Sequence, residues 1–112
     1  MGGGRLVGGP VTGAHPRHRL DPLIHAPIRL SIVAYLSEVD RAEFALVRDA
    51  VELTAAALSK QVSLLEEAGY VTVEKGYVGK RPRTWLALAP TGREALARHL
   101  AALRAIAEGQ SR

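Results

Sequence analysis

At 112 residues the chain has room for one domain with a single modest core, and none of its apolar runs approaches the roughly 18 residues of a membrane-spanning helix. It has no cysteine, which excludes disulfides, thiolate zinc sites and cysteine nucleophiles, and a reducing cytoplasm is the expected compartment. The formal charge is +4, yet residues 21–90 carry eight basic against nine acidic side chains, so any grip on a polyanion has to come from where the cations sit.

Residues 1–20 hold six glycines and two prolines without periodicity, and are expected to form a flexible leader made basic by Arg5, Arg17 and Arg19. Order is expected from Asp21-Pro22, a helix-start pair. Pro27 interrupts and restarts the helix, which carries Ile28, Leu30, Ile32, Val33, Tyr35 and Leu36 around most of its circumference. A helix apolar nearly all round is buried on several sides, and in so small a chain this points to a second subunit. Val39-Asp40 breaks the pattern, and residues 42–44 suit a very short strand. A short helix follows, anchored by Phe44, Leu46, Val47 and Val51. Thr54 then caps a helix over 55–68, with Gly69 as its natural stop.

Residues 70–75 and 83–88 alternate with the strand period, and the linker 76–82, with two glycines and a proline, suits a hairpin with a long exposed tip. Phe44 and Trp85 are expected as core anchors. Thr91-x-x-Glu94 has the form of a capping box opening the last helix, in which Leu96, Leu100, Leu103 and Ala107 recur at helical spacing. The chain is expected to divide into a leader (1–20), a central domain (21–90) and a C-terminal helix with tail (91–112). The fold class is α+β, mainly α: a winged helix-turn-helix with a two-stranded wing hairpin.

The helix 54–68 can be tested for such a role. At about 100° per residue, Leu58, Val62 and Leu65 form its core stripe, while Ala56, Lys60, Ser63 and Glu67 lie opposite, with Ser59 on the flank. A small, polar outer face led by one lysine suits entry into a major groove, because bulky apolar groups would block approach to base edges. Thr54 at its start completes the set. The wing, 75–83, supplies charge through Lys75, Lys80, Arg81 and Arg83 with no acid between them, and can serve the DNA backbone or the adjacent minor groove. Tyr77 either stacks on a partner or packs the hairpin.

The segments Leu65-Glu66-Glu67-Ala68-Gly69-Tyr70-Val71, Gly79-Lys80-Arg81-Pro82-Arg83-Thr84 and Leu88-Ala89-Pro90-Thr91-Gly92-Arg93 resemble winged-helix regulators related to the MarR and ArsR families. The match is nearest to the small single-domain branch whose first helix carries Ile-His-x-Pro-x-Arg-Leu, present as Ile24–Leu30. The resemblance implies a bacterial transcription regulator. It also implies a homodimer built from the first and last helices, with Leu23, Ile24, Ile28, Ile32, Leu96, Leu100 and Leu103 as interface candidates. Ser59, Lys60 and Ser63 would face the groove, and Lys80, Arg81 and Arg83 would serve the wing. Double-stranded DNA is the implied partner, and a small-molecule effector in the dimer crevice is a further one.

No cofactor is expected. His15, His18 and His25 are close in sequence, but two fall in the leader and a metal site needs three or four fixed ligands. His25 is expected at the helix break and His99 on the surface. The chain has no phosphate-binding glycine loop, nucleophile elbow or His-Glu-x-x-His spacing, so an enzyme is not expected. The near-neutral central region leaves a protein–protein interaction module as the competing class of function.

Overall fold

The computed structural model describes residues 15–109. A short 3-10 helix, Pro16–Arg19, leads into α1 (Pro27–Ser37), β1 (Ala42–Glu43), α2 (Phe44–Ala50), α3 (Ala55–Glu67), β2 (Val71–Val78), β3 (Arg81–Leu88) and α4 (Pro90–Ala107). The three strands form one antiparallel sheet in the order β1-β3-β2. Three helices, a hairpin and a closing helix are the expected winged-helix order, and the two-residue β1 falls within the predicted 42–44.

The core explains the apolar circumference of α1. Ile32, Val33 and Leu36 are fully buried, and α1 touches α2, α3, α4 and β3 at once. Its apolar faces apart from that of Ile28 are therefore met by its own chain, and a second subunit is not needed to account for those. Ile24, Val47, Leu58, Leu65, Val71 and Leu86 are enclosed with them, each contributing about 1.5–3 kcal/mol of burial.

Residues 15–20 correct the expectation of a disordered leader running to residue 20. His15 Nδ1 accepts the Arg17 amide at 3.0 Å, capping the 3-10 helix, and Pro16 is buried where that helix packs on α4. Residues 1–14, which complete the leader with Arg5, lie outside the described residues.

His99, expected on the surface, is wholly buried. Its Nδ1 accepts the Asp21 amide at 3.0 Å, and its Nε2 faces His25 Nδ1 at 3.4 Å. A ring nitrogen that accepts an N–H carries no proton of its own, so the proton of neutral His99 sits on Nε2 and points at His25. Asp21 turns the chain into this contact. Its Oδ1 accepts the Leu23 and Ile24 amides, and its Oδ2 accepts the Tyr70 hydroxyl at 2.6 Å.

Burial and the neighbouring His25 lower the His99 pKa, against the pull of Asp21. For Asp21, partial burial works to raise the pKa, but the bonds from Tyr70, Ile24 and Leu23 prevail and the net shift is downward. The Tyr70 pKa is raised, chiefly by its bond to Asp21. Arg29 adds a bridge from α1, its Nε donating to the Leu23 carbonyl and its Nη1 to Gln61 Oε1 on α3. The Ile24–Leu30 motif is thus a clasp: Ile24 fills the core, His25 meets His99, Pro27 opens α1, and Arg29 ties that opening to α3.

Two boundaries differ from the sequence pattern. The hairpin strands pair out to Val78 and Arg81, leaving Gly79 and Lys80 as a two-residue turn where a seven-residue tip was expected. Gly79 has φ +64 and Lys80 is not left-handed, as a type II′ turn requires. α4 opens at Pro90 with Ala89 as N-cap and no side-chain cap, so the Thr91–Glu94 capping box does not form. The earlier start carries Gly92 beneath the Tyr70 carbonyl, where a Cβ would collide.

Candidate nucleic-acid interface

α3 stands on its core stripe as expected: Leu58, Val62 and Leu65 are buried, and Ala55, Ala56, Ser59, Lys60, Ser63 and Glu67 are exposed. Thr54 Oγ1 accepts the Ala57 amide at 3.1 Å, so its side chain is committed to capping the first turn. The turn between α2 and α3 contains a strained residue. Glu52 has φ +57, the left-handed region, in a Schellman cap made by Leu53 N–H to Arg48 O and Glu52 N–H to Asp49 O. The same motif closes α3, with Gly69 in the left-handed position.

Between α3 and the inner face of the hairpin runs an open cleft of about 500 Å³, floored by Phe44, Val62, Val73 and Leu86 and edged by Ser59, Ser63, Glu66, Lys75 and Thr84. The structure thus brings Ser59, Ser63 and Lys75, three of the selected residues, to one concave surface. Lys60 lies outside the cleft lining, and Lys80 and Arg81 are exposed at the hairpin end.

Arg83 is different. Its Nε sits 2.8 Å from Glu43 Oε1, both side chains about one-third exposed or less, so its charge is neutralised across the sheet. Glu43 escaped sequence reasoning because β1 pairs with β3, a long-range register that no local pattern reveals. Trp85 likewise belongs elsewhere than expected. It shares the outer face of the sheet with Arg83, half-covered by the Arg41 guanidinium 4.1 Å from its ring, rather than lying in the core. Phe44 is partly buried against the core and also floors the cleft.

Residues 28–107 match the family model described as "Winged helix DNA-binding domain". The chain belongs to the winged-helix DNA-binding family. This is a family of DNA-binding proteins, not of enzymes, and its helix-turn-helix is α2–α3 with β2–β3 as the wing. The chain is 29% identical to the transcriptional regulator homologue protein from Pyrococcus horikoshii OT3, covering 80% of this chain and 89% of that one at a TM-score of 0.74.

The winged-helix fold is shared with a MarR-family transcriptional regulator from Silicibacter pomeroyi (TM-score 0.61, 21% identity, 87% of this chain and 64% of that one). It is shared too with Bordetella bronchiseptica BpsR, whose DNA binding is regulated by 6-hydroxynicotinic acid (TM-score 0.66, 13% identity, 83% of this chain and 70% of that one). No curated protein matches the chain. Among the described residues no helix is long and apolar enough to cross a membrane, and no three potential ligands cluster as a metal site.

The seven interface candidates separate by burial. Ile24, Ile32 and Leu96 are enclosed in the chain's own core, and a partner could not reach them without unfolding it. Leu23 and Leu103 are half-buried, while Ile28 and Leu100 are 44% and 43% exposed.

Proposed function

We propose that this winged-helix protein is a homodimeric, sequence-selective transcription regulator of the MarR type that enters the DNA major groove with α3. Ser59, Lys60 and Ser63 face the bases and backbone there, and Ala55 and Ala56 let the helix approach closely. The carrying observation is the small, polar, exposed face of α3 beside a hairpin whose Lys75, Lys80 and Arg81 remain in solvent. The wing gives most of the electrostatic affinity, and Arg83 acts as a strut fixing the wing to β1 through Glu43.

The dimer forms through Ile28 and Leu100, with Leu23 and Leu103 beside them, since these remain accessible on the elements flanking the DNA-binding unit. An effector in the crevice between the two copies is the corresponding control, in keeping with the regulated DNA binding of BpsR. The experiment is titration of the full chain against a duplex from its own upstream region, at several salt concentrations, alongside sedimentation. Tight low-salt binding by a two-chain species is expected. No binding at low salt contradicts the DNA role, and binding by a monomer contradicts the dimer.

A further inference from the structure

The inner face of the hairpin changes character as it leaves the body. On that face β2 presents Val71, Val73, Lys75 and Tyr77, opposite Leu88, Leu86, Thr84 and Pro82 of β3. The first two pairs belong to the core or pack against it, and the Lys75–Thr84 pair edges the cleft beside α3. The last pair, Tyr77 and Pro82, has passed beyond the body. Tyr77 is 74% exposed, more than any other large apolar side chain among the described residues.

A tyrosine that served to pack the hairpin would be covered by it; this ring is held out in water, on the side of the wing that α3 occupies. Its surroundings match a polyanion. Lys75 precedes it on the same face, Lys80 forms the turn, and Arg81 follows with no acid between Lys75 and Arg83. The two-residue turn keeps the tip narrow, and Gly79 adds no side chain. A flat ring entering edge-on fits the width of a minor groove, about 6 Å, whose walls are the apolar edges of deoxyribose.

We infer that Tyr77, backed by Pro82, is an apolar minor-groove contact of the wing, with Lys75 and Lys80 on the phosphates at either side. This rests on the DNA-binding role proposed above and adds a contact that charge alone would not supply. Tyr77 then contributes affinity that does not depend on counterion release, whereas the lysines contribute affinity that does.

Binding of the full chain to a fluorescent duplex selected from a random pool separates the two kinds of contact. The unsubstituted protein, Tyr77→Ala, Tyr77→Phe and Lys80→Ala are compared over a range of salt, with far-UV circular dichroism confirming the fold of each. Tyr77→Ala is expected to weaken binding about 5- to 30-fold at an unchanged salt slope. Tyr77→Phe keeps most of the affinity, and Lys80→Ala lowers the slope by about one. Hydroxyl radicals attack deoxyribose from the minor groove, so protection under the wing should vanish with Tyr77→Ala and persist with Lys80→Ala at saturation. Unchanged affinity and intact protection in Tyr77→Ala overturn the contact while leaving the DNA role standing. Failure of the unsubstituted protein to bind any duplex at low salt overturns both.

Discussion

The two ends of the molecule treat polar groups in opposite ways. At the α3–wing end, Lys60, Lys75, Lys80 and Arg81 stand in solvent, while Arg83 is neutralised by Glu43. At the other end Asp21, Tyr70, His25 and His99 are bonded to one another and to the backbone, with His99 out of water altogether. On the proposed function, the first group answers to a partner and the second to the fold. Exposed cations cost the fold little and are free to meet phosphate, whereas a part-buried polar network centred on His99 specifies the placement of the N-terminal segment on α4 and is costly to break.

The largest effect expected on stability is at the buried end. His99→Leu keeps the bulk and leaves the Asp21 amide and His25 Nδ1 without their partner, at a cost of about 1–3 kcal/mol measured by urea unfolding. Lys80→Ala in the same measurement should leave stability unchanged. A His99→Leu chain as stable as the unsubstituted one would mean the two ends do not differ in this way.

Acid should sharpen the same contrast. The folded chain lowers the His99 pKa, so below about pH 6.5 the unfolded chain takes up its proton first. The stability from neutral His99 is complete above that pH and is lost as pH falls toward the lower folded value. The lowered pKa of Asp21 acts in the same direction in the carboxylate range, its contribution present above the unfolded value and lost below it. Unfolding midpoints are therefore expected to drop between pH 7 and 5, and to drop less in His99→Leu. An equal drop in both proteins would place the acid sensitivity elsewhere.

A smaller effect lies in the helix-turn-helix turn. Gly69 occupies the left-handed position of one Schellman cap without strain, while Glu52 occupies the other with a side chain. Glu52→Gly should stabilise by up to about 1 kcal/mol, net of the greater freedom of glycine in the unfolded chain. A destabilised Glu52→Gly protein would show that the Glu52 side chain holds a contact worth more than the strain.

Much of this architecture is legible in the sequence because it is periodic. The Leu58–Val62–Leu65 stripe, the Thr54 cap and the alternation of the hairpin strands are local signals, and each corresponds to an observed element. What escapes is non-local. The burial of His99 depends on Asp21, 78 residues away, and the neutralisation of Arg83 on the pairing of β1 with β3. The apolar circumference of α1 reads equally well as a subunit interface or as the centre of a small core, and only its neighbours decide. The hairpin tip is shorter than the sequence suggests because Gly76 and Pro82, though typical turn residues, do not form the turn. Both lie in paired strands, with Pro82 opposite Tyr77.

On the proposed function, free cations on α3 and the wing hold duplex DNA while Arg83 is already spent within the fold. The salt dependence of duplex binding distinguishes them when the unsubstituted chain is compared with Lys60→Ala, Lys75→Ala, Lys80→Ala and Arg83→Ala. Each lysine substitution should reduce the slope of log K against log salt by about one, the counterions of one phosphate. Arg83→Ala should reduce it by clearly less, because its partner is Glu43. A slope indifferent to all three lysines, or one that falls most with Arg83→Ala, contradicts this division of charge.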